Sequence, residues 1–287
     1  MEFLQPSTWE EALAAKAAFP DAVPIQGGTD VMVEMNFDRR RPDVLLDLGR
    51  VRELADWASD AGSLRVGAGV TYARVIAELG AMLPGLALAA RTVGSPQIRN
   101  RGTVGGNLGA ASPAGDSHPP LLAAGAVYEV ASAARGARRI PAHEFYLGPK
   151  RNALEPDELI AAIYLAPAAG GQQFAKVGTR NAMVIAACSF AVAVDRSART
   201  IGTGIGSAGP TPLQAPDAER YLAGVMTDEG LWESGRLPDE AVLERFGALV
   251  ADAARPIDDV RATASYRRHA LTVMGRRTAT WALRDGR

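Results

Sequence analysis

The sequence predicts an α+β fold in two units, with a boundary near residue 170. Three observations predict it. Short apolar runs with strand-like alternation, punctuated by glycine, alternate with short helical patterns through about the first 165 residues. Ala166-Pro-Ala-Ala-Gly-Gly171 then reads as a linker. Three further strand candidates follow, and the chain ends in long helical periods. A length of 287 residues suits one large domain or two ordinary ones.

Taken in order, Ser7 or Thr8 can cap a helix that ends before Pro20, with Trp9, Leu13 and Ala17 on one face. Ala22 to Ile25 is extended, Val31 to Met35 suits a helix, and Asp43 to Leu48 reads as a strand. Ser63 to Gly67 is a strand. Thr71 can cap a helix over Tyr72 to Leu79, and Leu83 to Val93 is a second, rich in Ala and Leu. Gly94 to Pro120 is dense in Gly, Ser, Asn and Pro. It predicts a long loop, and long loops punctuated by apolar residues are usually functional. Ala126 to Ala131 and Leu159 to Leu165 read as strands. Beyond the linker, Gln173 to Val177, Ile185 to Val194 and Thr200 to Ser207 read as strands or buried elements. Pro210, Pro212 and Pro216 break the chain before a helix around Ala218 to Leu222, and Asp239 to Ala254 and Ser265 to Leu283 are helical by period.

Composition narrows the function classes. Apolar residues are 47% and charged residues 22%, a globular balance. Lys+Arg is 31 against 32 Asp+Glu, so no global field draws in nucleic acid or anionic membrane. The arginines are scattered and few aromatics lie among them, which argues against an RNA-binding role. Cys188 is the one cysteine, so no intrachain disulfide and no thiolate-ligated zinc or iron–sulfur cluster is expected in this chain. It lies in an apolar run and reads as a buried small hydrophobe. His118, His143 and His269 are far apart in sequence, so a metal site is not expected. The N-terminus does not read as a secretory or transit signal, and the longest apolar run, Ala182 to Val194, is too short to span a bilayer. The expectation is a cytoplasmic protein.

Three glycine-rich motifs could carry chemistry. Gly204-Ile-Gly-Ser-Ala-Gly209 matches a dinucleotide fingerprint, but a helix must open there, and Pro210, Pro212 and Pro216 argue against one. A strand end and turn is the expectation. Gln26-Gly27-Gly28-Thr29-Asp30 lets a backbone approach a ligand closely and can aim successive N–H groups at a phosphate. A plain strand-to-helix turn would look identical. Gly102-Thr103-Val-Gly105-Gly106-Asn107-Leu108, followed by Ala111-Ser-Pro-Ala-Gly-Asp116, repeats that logic about 78 residues on. Hydrogen bonds to charged groups contribute about 1.5–3 kcal/mol each, so a few can hold a pyrophosphate. Two Gly-Gly loops converging on one extended nucleotide would be more specific than either.

At these residues the sequence resembles the medium, FAD-binding subunit of the molybdenum hydroxylases, the group of xanthine, carbon monoxide and nicotine dehydrogenases. The resemblance spans almost the whole chain. It rests on the first Gly-Gly loop and on Ile98-Arg-Asn-Arg-Gly-Thr103-Val-Gly-Gly-Asn107-Leu with Ala111-Ser-Pro-Ala-Gly-Asp116. Pro120 to Ala126, Ser265-Tyr-Arg-Arg-His269 and Arg276-Arg277 extend it. It implies a two-subdomain FAD-binding module of the vanillyl-alcohol-oxidase type over residues 1–168. A smaller α+β C-terminal domain over 172–287 would follow. By resemblance, Ile25, Gln26, Gly27, Gly28, Thr29, Asp30 and Val31 would line the FAD diphosphate and ribityl chain. Thr103, Gly106, Asn107, Ala110 and Asp116 would form the second wall. Val93, Gly94 and Ile98 would lie near the flavin or the adenine, and Lys176 near the isoalloxazine. A solvated strand-end lysine is an equal reading of Lys176.

The sequence also departs from the family. Carbon monoxide dehydrogenases carry Gly-Gly-His-Ser at the first loop, where this chain has Thr29-Asp30. Many members have Arg-x-Ala-Met-Asp-Ile-Ala where this chain has Arg180-Asn-Ala-Met-Val184-Ile-Ala. The extra iron–sulfur cluster of the benzoyl-CoA-reducing relatives is excluded by the single cysteine. The resemblance implies partners: a large molybdopterin subunit and a small subunit with two [2Fe-2S] clusters, as a dimer of heterotrimers, with NAD or another acceptor downstream. No acid–base triad is expected in this chain. A free-standing flavoenzyme of the same superfold is the alternative. It would need a proton donor, for which His118 or His143 could serve. A scaffold that has lost FAD is a third reading, opposed by the intact Gly-Gly loops. Tyr266-Arg267-Arg268 could contact a partner, though a solvated helix face is the favoured reading.

Overall fold

The N-terminal end pairs directly into a sheet. In the computed structural model, which describes residues 1–60 and 62–285, Glu2–Leu4 and Val23–Ile25 flank Val44–Asp47, both parallel to it. The helix Trp9–Ala18 connects the first two strands. Thr8 is its cap: Thr8 Oγ1 accepts from Glu11 N, and the Glu11 carboxylate accepts from Thr8 N, a reciprocal capping box. This small parallel sheet is one subdomain.

The second subdomain is a five-stranded antiparallel sheet in the order Trp57–Asp60, Ser63–Gly67, Leu159–Leu165, Val127–Ser132, Gly136–Pro141. Its central strand is buried along nearly its whole length, as a strand covered on both faces must be. Helices Tyr72–Glu78 and Pro84–Thr92 pack on each other and share its apolar core, which joins both subdomains through Leu46, Leu64, Val75, Leu108 and Ile163.

Gly94 to Pro120 is not the irregular loop its composition predicts. It holds the short helices Pro96–Arg101 and Val104–Ala110 and opens a third, His118–Ala123. Ser95 and Thr103 cap the first two, and prolines occupy the first turns of the first and third. Residues that read as loop formers are here helix starters. The strands Glu2–Leu4, Trp57–Asp60 and Gly136–Pro141 carried no strand signal in the sequence reading; each is an edge strand with exposed residues, so no apolar alternation marks it.

The C-terminal unit is a three-stranded antiparallel sheet, Gln172–Val177, Cys188–Asp195 and Thr200–Gly206, packed with helices Pro216–Asp228, Glu240–Ala253 and Ala264–Asp285. Ile185 to Ala187 lie outside the central strand, which begins at Cys188. The Gly204 motif ends the third strand and opens no helix. Gly202 and Gly204 face the N-terminal unit: a Cβ on Gly204 would lie 2.0 Å from the Pro119 carbonyl oxygen, and one on Gly202 2.0 Å from that of Ala123. The glycines let the helix His118–Ala123 lie against the sheet.

Candidate functional site

The first Gly-Gly loop leaves the strand Val23–Ile25 and enters the helix Val31–Asn36. Gly27 is required by a close approach: a Cβ there would lie 2.0 Å from the Arg101 carbonyl oxygen. Its absence lets this loop abut the helix Pro96–Arg101, and the Arg101 guanidinium donates back to Gln26 O at 3.4 Å. The second loop follows at once. Thr103 Oγ1 accepts from Gly106 N at 3.0 Å and starts the helix Val104–Ala110. A Cβ on Gly106 would meet only Thr103 Oγ1, so its outer face is open.

Between the loops runs an elongated cleft of about 510 Å³, within the roughly 300–1,000 Å³ of cofactor pockets. Ile25 through Val31, Val93, Gly94, Thr103, Gly106, Asn107, Ala110 and Asp116 all line it. Two expected residues do not. Ile98 packs behind Gly94, and Lys176 sits behind Asp116. Lys176 reaches from the C-terminal sheet, its Nζ donating to Asp116 Oδ2 at 2.5 Å and to Thr92 O at 3.3 Å. Its side chain is 8% exposed, so it is not a solvated strand-end lysine. Thr92 Oγ1 donates to the same Asp116 oxygen at 2.9 Å, while Asp116 Oδ1, fully buried, has no partner among the described residues. Burial pushes the Asp116 carboxyl above its ordinary range; the Lys176 ammonium and the Thr92 hydroxyl pull it back.

The cleft also has walls that the sequence reading missed. Arg40 lines it beside Glu34, 3.8 Å away, and Tyr72 lies under the second loop. Val184 and Ile185 line it too. Together they make that wall apolar. Val184 could be found from the motif comparison; Tyr72 gave no signal, being one aromatic on an apolar helix face.

The other candidates lie elsewhere. His118 is fully buried outside the lining, with Nδ1 at 2.8 Å from the Tyr146 hydroxyl. Burial pulls its imidazole down to about 3, against the backbone of Ser112. His143 is exposed beside Glu144. Neither can donate a proton in the cleft. Burial raises the Cys188 thiol to about 12, so it is inert packing. Arg267 corrects the expected solvated face. It is 2% exposed and donates to Ala187 O and Ser207 O, with Asp259 as its counter-ion.

Residues 1–168 match the family model for the FAD-binding domain in molybdopterin dehydrogenase, and residues 173–282 that for the CO dehydrogenase flavoprotein C-terminal domain. The chain belongs to the FAD-binding subunits of the molybdenum hydroxylase family. It is 33% identical to the nicotinate dehydrogenase FAD-subunit of Eubacterium barkeri, over 78% of this chain and 79% of that one. It is 28% identical to the xanthine dehydrogenase FAD-binding subunit of Escherichia coli O157:H7, over 96% and 94%. Among solved structures, it superposes on a chain of the Cu,Mo-CO dehydrogenase with a TM-score of 0.89 at 28% identity, covering 99% of this chain and 97% of that one.

As an FAD-binding subunit of an oxidoreductase, the chain has a cleft whose residues fit the cofactor. Gly106 presents open backbone, the amide nitrogen of Asn107 makes no hydrogen bond among the described residues, and Asp116 Oδ1 is an uncommitted acceptor. Of the other titratable groups of the wall, Glu158 accepts two hydrogen bonds from Arg138 and Tyr72 donates to Ser117, while Asp30 makes no side-chain cap on the helix it precedes. Open backbone, a free amide and an unengaged carboxylate oxygen suit a wall that holds and orients a ligand.

Proposed function

We propose that this chain is the electron-exit subunit of a molybdenum-containing hydroxylase. Its partners are a large molybdopterin subunit that oxidises substrate and a small subunit with two [2Fe-2S] clusters, assembled as a dimer of heterotrimers. FAD held between the two Gly-Gly loops would supply one- and two-electron redox chemistry, with NAD or another acceptor downstream. The observation that carries the reading is the convergence of both Gly-Gly loops on one cleft. Thr29-Asp30 in the first loop favours a purine or N-heteroaromatic dehydrogenase over carbon monoxide oxidation. The cytoplasmic location belongs to the same proposal.

Purification, a visible spectrum and identification of any released flavin test it. Stoichiometric FAD, lost in Gly106→Val and Asn107→Asp, is the expected result. A folded protein that stays colourless with added FAD, alone and co-expressed with its partners, would overturn it. With FAD in place, electron transfer to NAD against other acceptors separates the acceptor classes.

A further inference from the structure

We infer that Tyr72 and Ser117 are positioning residues that fix which face of the Asn107 amide meets the cofactor. The inference rests on the FAD reading and deepens it. Asn107 lines the cleft from the second loop. Behind it, Ser117 Oγ lies 2.7 Å from Asn107 Oδ1, and the Tyr72 hydroxyl lies 3.0 Å from Ser117 Oγ.

Proton inventory fixes the direction of this chain of hydrogen bonds. Tyr72 is 1% exposed, and Ser117 Oγ is the hydrogen-bond partner of its hydroxyl among the described residues. If Tyr72 accepted from Ser117, its own buried O–H would have nowhere to go. It must therefore donate. Ser117 then has its one proton free for Asn107, and the amide atom facing it must be an acceptor, Oδ1. The amide nitrogen is thereby turned into the cleft with both its protons unengaged. An anionic diphosphate or a flavin carbonyl needs donors there; the flipped amide would offer an oxygen.

A second feature agrees. Ser117 stands at the N-cap of the helix His118–Ala123, where serine usually caps with its hydroxyl. Here it makes no side-chain cap, because Pro119 and Pro120 stand where a cap would accept an N–H and have none to give, which leaves the hydroxyl to Asn107. The backbone holds the two ends in register: Tyr72 N donates to Gly102 O, and Thr71 bridges to Thr103.

The test is FAD titration of the full-length apoprotein, wild type against Tyr72→Phe, Ser117→Ala and Asn107→Ala, singly and paired, with thermal melts as folding controls. Tyr72→Phe and Ser117→Ala should each weaken FAD by about tenfold, the size of one net hydrogen bond. In the Asn107→Ala background neither should weaken it further. Ser117→Thr, which keeps the hydroxyl, should bind within about twofold of wild type, well inside one hydrogen bond's worth. Unchanged affinity in Tyr72→Phe, or equal losses with and without Asn107, would overturn the inference. A second readout needs no FAD. In the apoprotein, both side-chain amide protons of Asn107 should exchange rapidly with water by NMR. One slowly exchanging proton would mean that the nitrogen faces Ser117, and would overturn the inference. A wild-type chain that binds no FAD but shows fast exchange would sink the proposed function and leave the relay standing.

Discussion

Lys176 Nζ lies 2.5 Å from Asp116 Oδ2, and the pair joins the two halves of the molecule, with side chains 8% and 7% exposed. One partner comes from the end of the second Gly-Gly segment, the other from the first strand of the C-terminal sheet. The wall of the cleft is thus held from the neighbouring unit. Removing one member of a buried pair strands the other, at about 3–5 kcal/mol. Lys176→Met should lower the apoprotein's unfolding free energy by about that amount, and Lys176→Met/Asp116→Asn should recover most of it. Urea denaturation of wild type, both single variants and the double variant checks this; additive losses would show that the pair is not coupled.

Gly204 is the complementary contact across the same junction. Gly204→Ala would drive a Cβ to 2.0 Å from the Pro119 carbonyl, which cannot yield without moving its helix. A loss of about 1–3 kcal/mol is expected, as for overpacking. Gly224, inside the helix Pro216–Asp228, has nothing within 4 Å of its added Cβ. Gly224→Ala should instead stabilise by about 0.5–1 kcal/mol. The opposite signs are the prediction, read from chemical denaturation.

His118 sets an acid limit on stability. Its ordinary value is 6.5, and burial lowers it to about 3 in the folded chain. Between those values the unfolded state binds the proton and the folded state does not. Stability from this residue is therefore complete above pH 6.5 and falls as pH drops toward 3, by up to about 1.4 kcal/mol per pH unit. His118→Gln should be less stable at neutral pH but flatter between pH 4 and 6 by roughly that slope. Parallel profiles for the two proteins would show that His118 does not set the limit.

Thr8 closes the capping box of the first helix. Thr8→Ala should cost about 1 kcal/mol, seen as a lower urea midpoint with an unchanged slope.

The local devices were legible in the sequence because they are made by neighbours in the chain. The caps at Thr8 and Thr71, the strand Leu159–Leu165 and the helix near Glu240 all follow from adjacent residues. Gly204-x-Gly-x-x-Gly209 opens no helix for the same kind of reason, because prolines act on their own backbone. The segment Gly94 to Pro120 reads as loop but folds as helices because glycine and proline signal loops unless a cap and a first-turn proline start a helix. The places of Lys176, expected near the flavin or in solvent, and of Arg267, expected on a solvated face, are not legible for a different reason. A charged side chain gives no sequence sign of the counter-ion that lets it be buried, and Asp116 and Asp259 are such partners.

The sequence by itself determined the two-unit α+β order, the pair of Gly-Gly loops and the family they mark. These are statements about backbone preference and spacing, which the chain carries residue by residue. Only the tertiary structure decided what those residues face. It set both loops on one cleft, turned Gly202 and Gly204 toward a helix of the other unit, placed Lys176 behind Asp116, and lined Tyr72, Ser117 and Asn107 into one hydrogen-bonded row. The physical reason is distance along the chain. Tyr72 and Ser117 are 45 residues apart and Lys176 and Asp116 are 60, and no local preference encodes which hydroxyl or ammonium a buried group will meet once the core has closed.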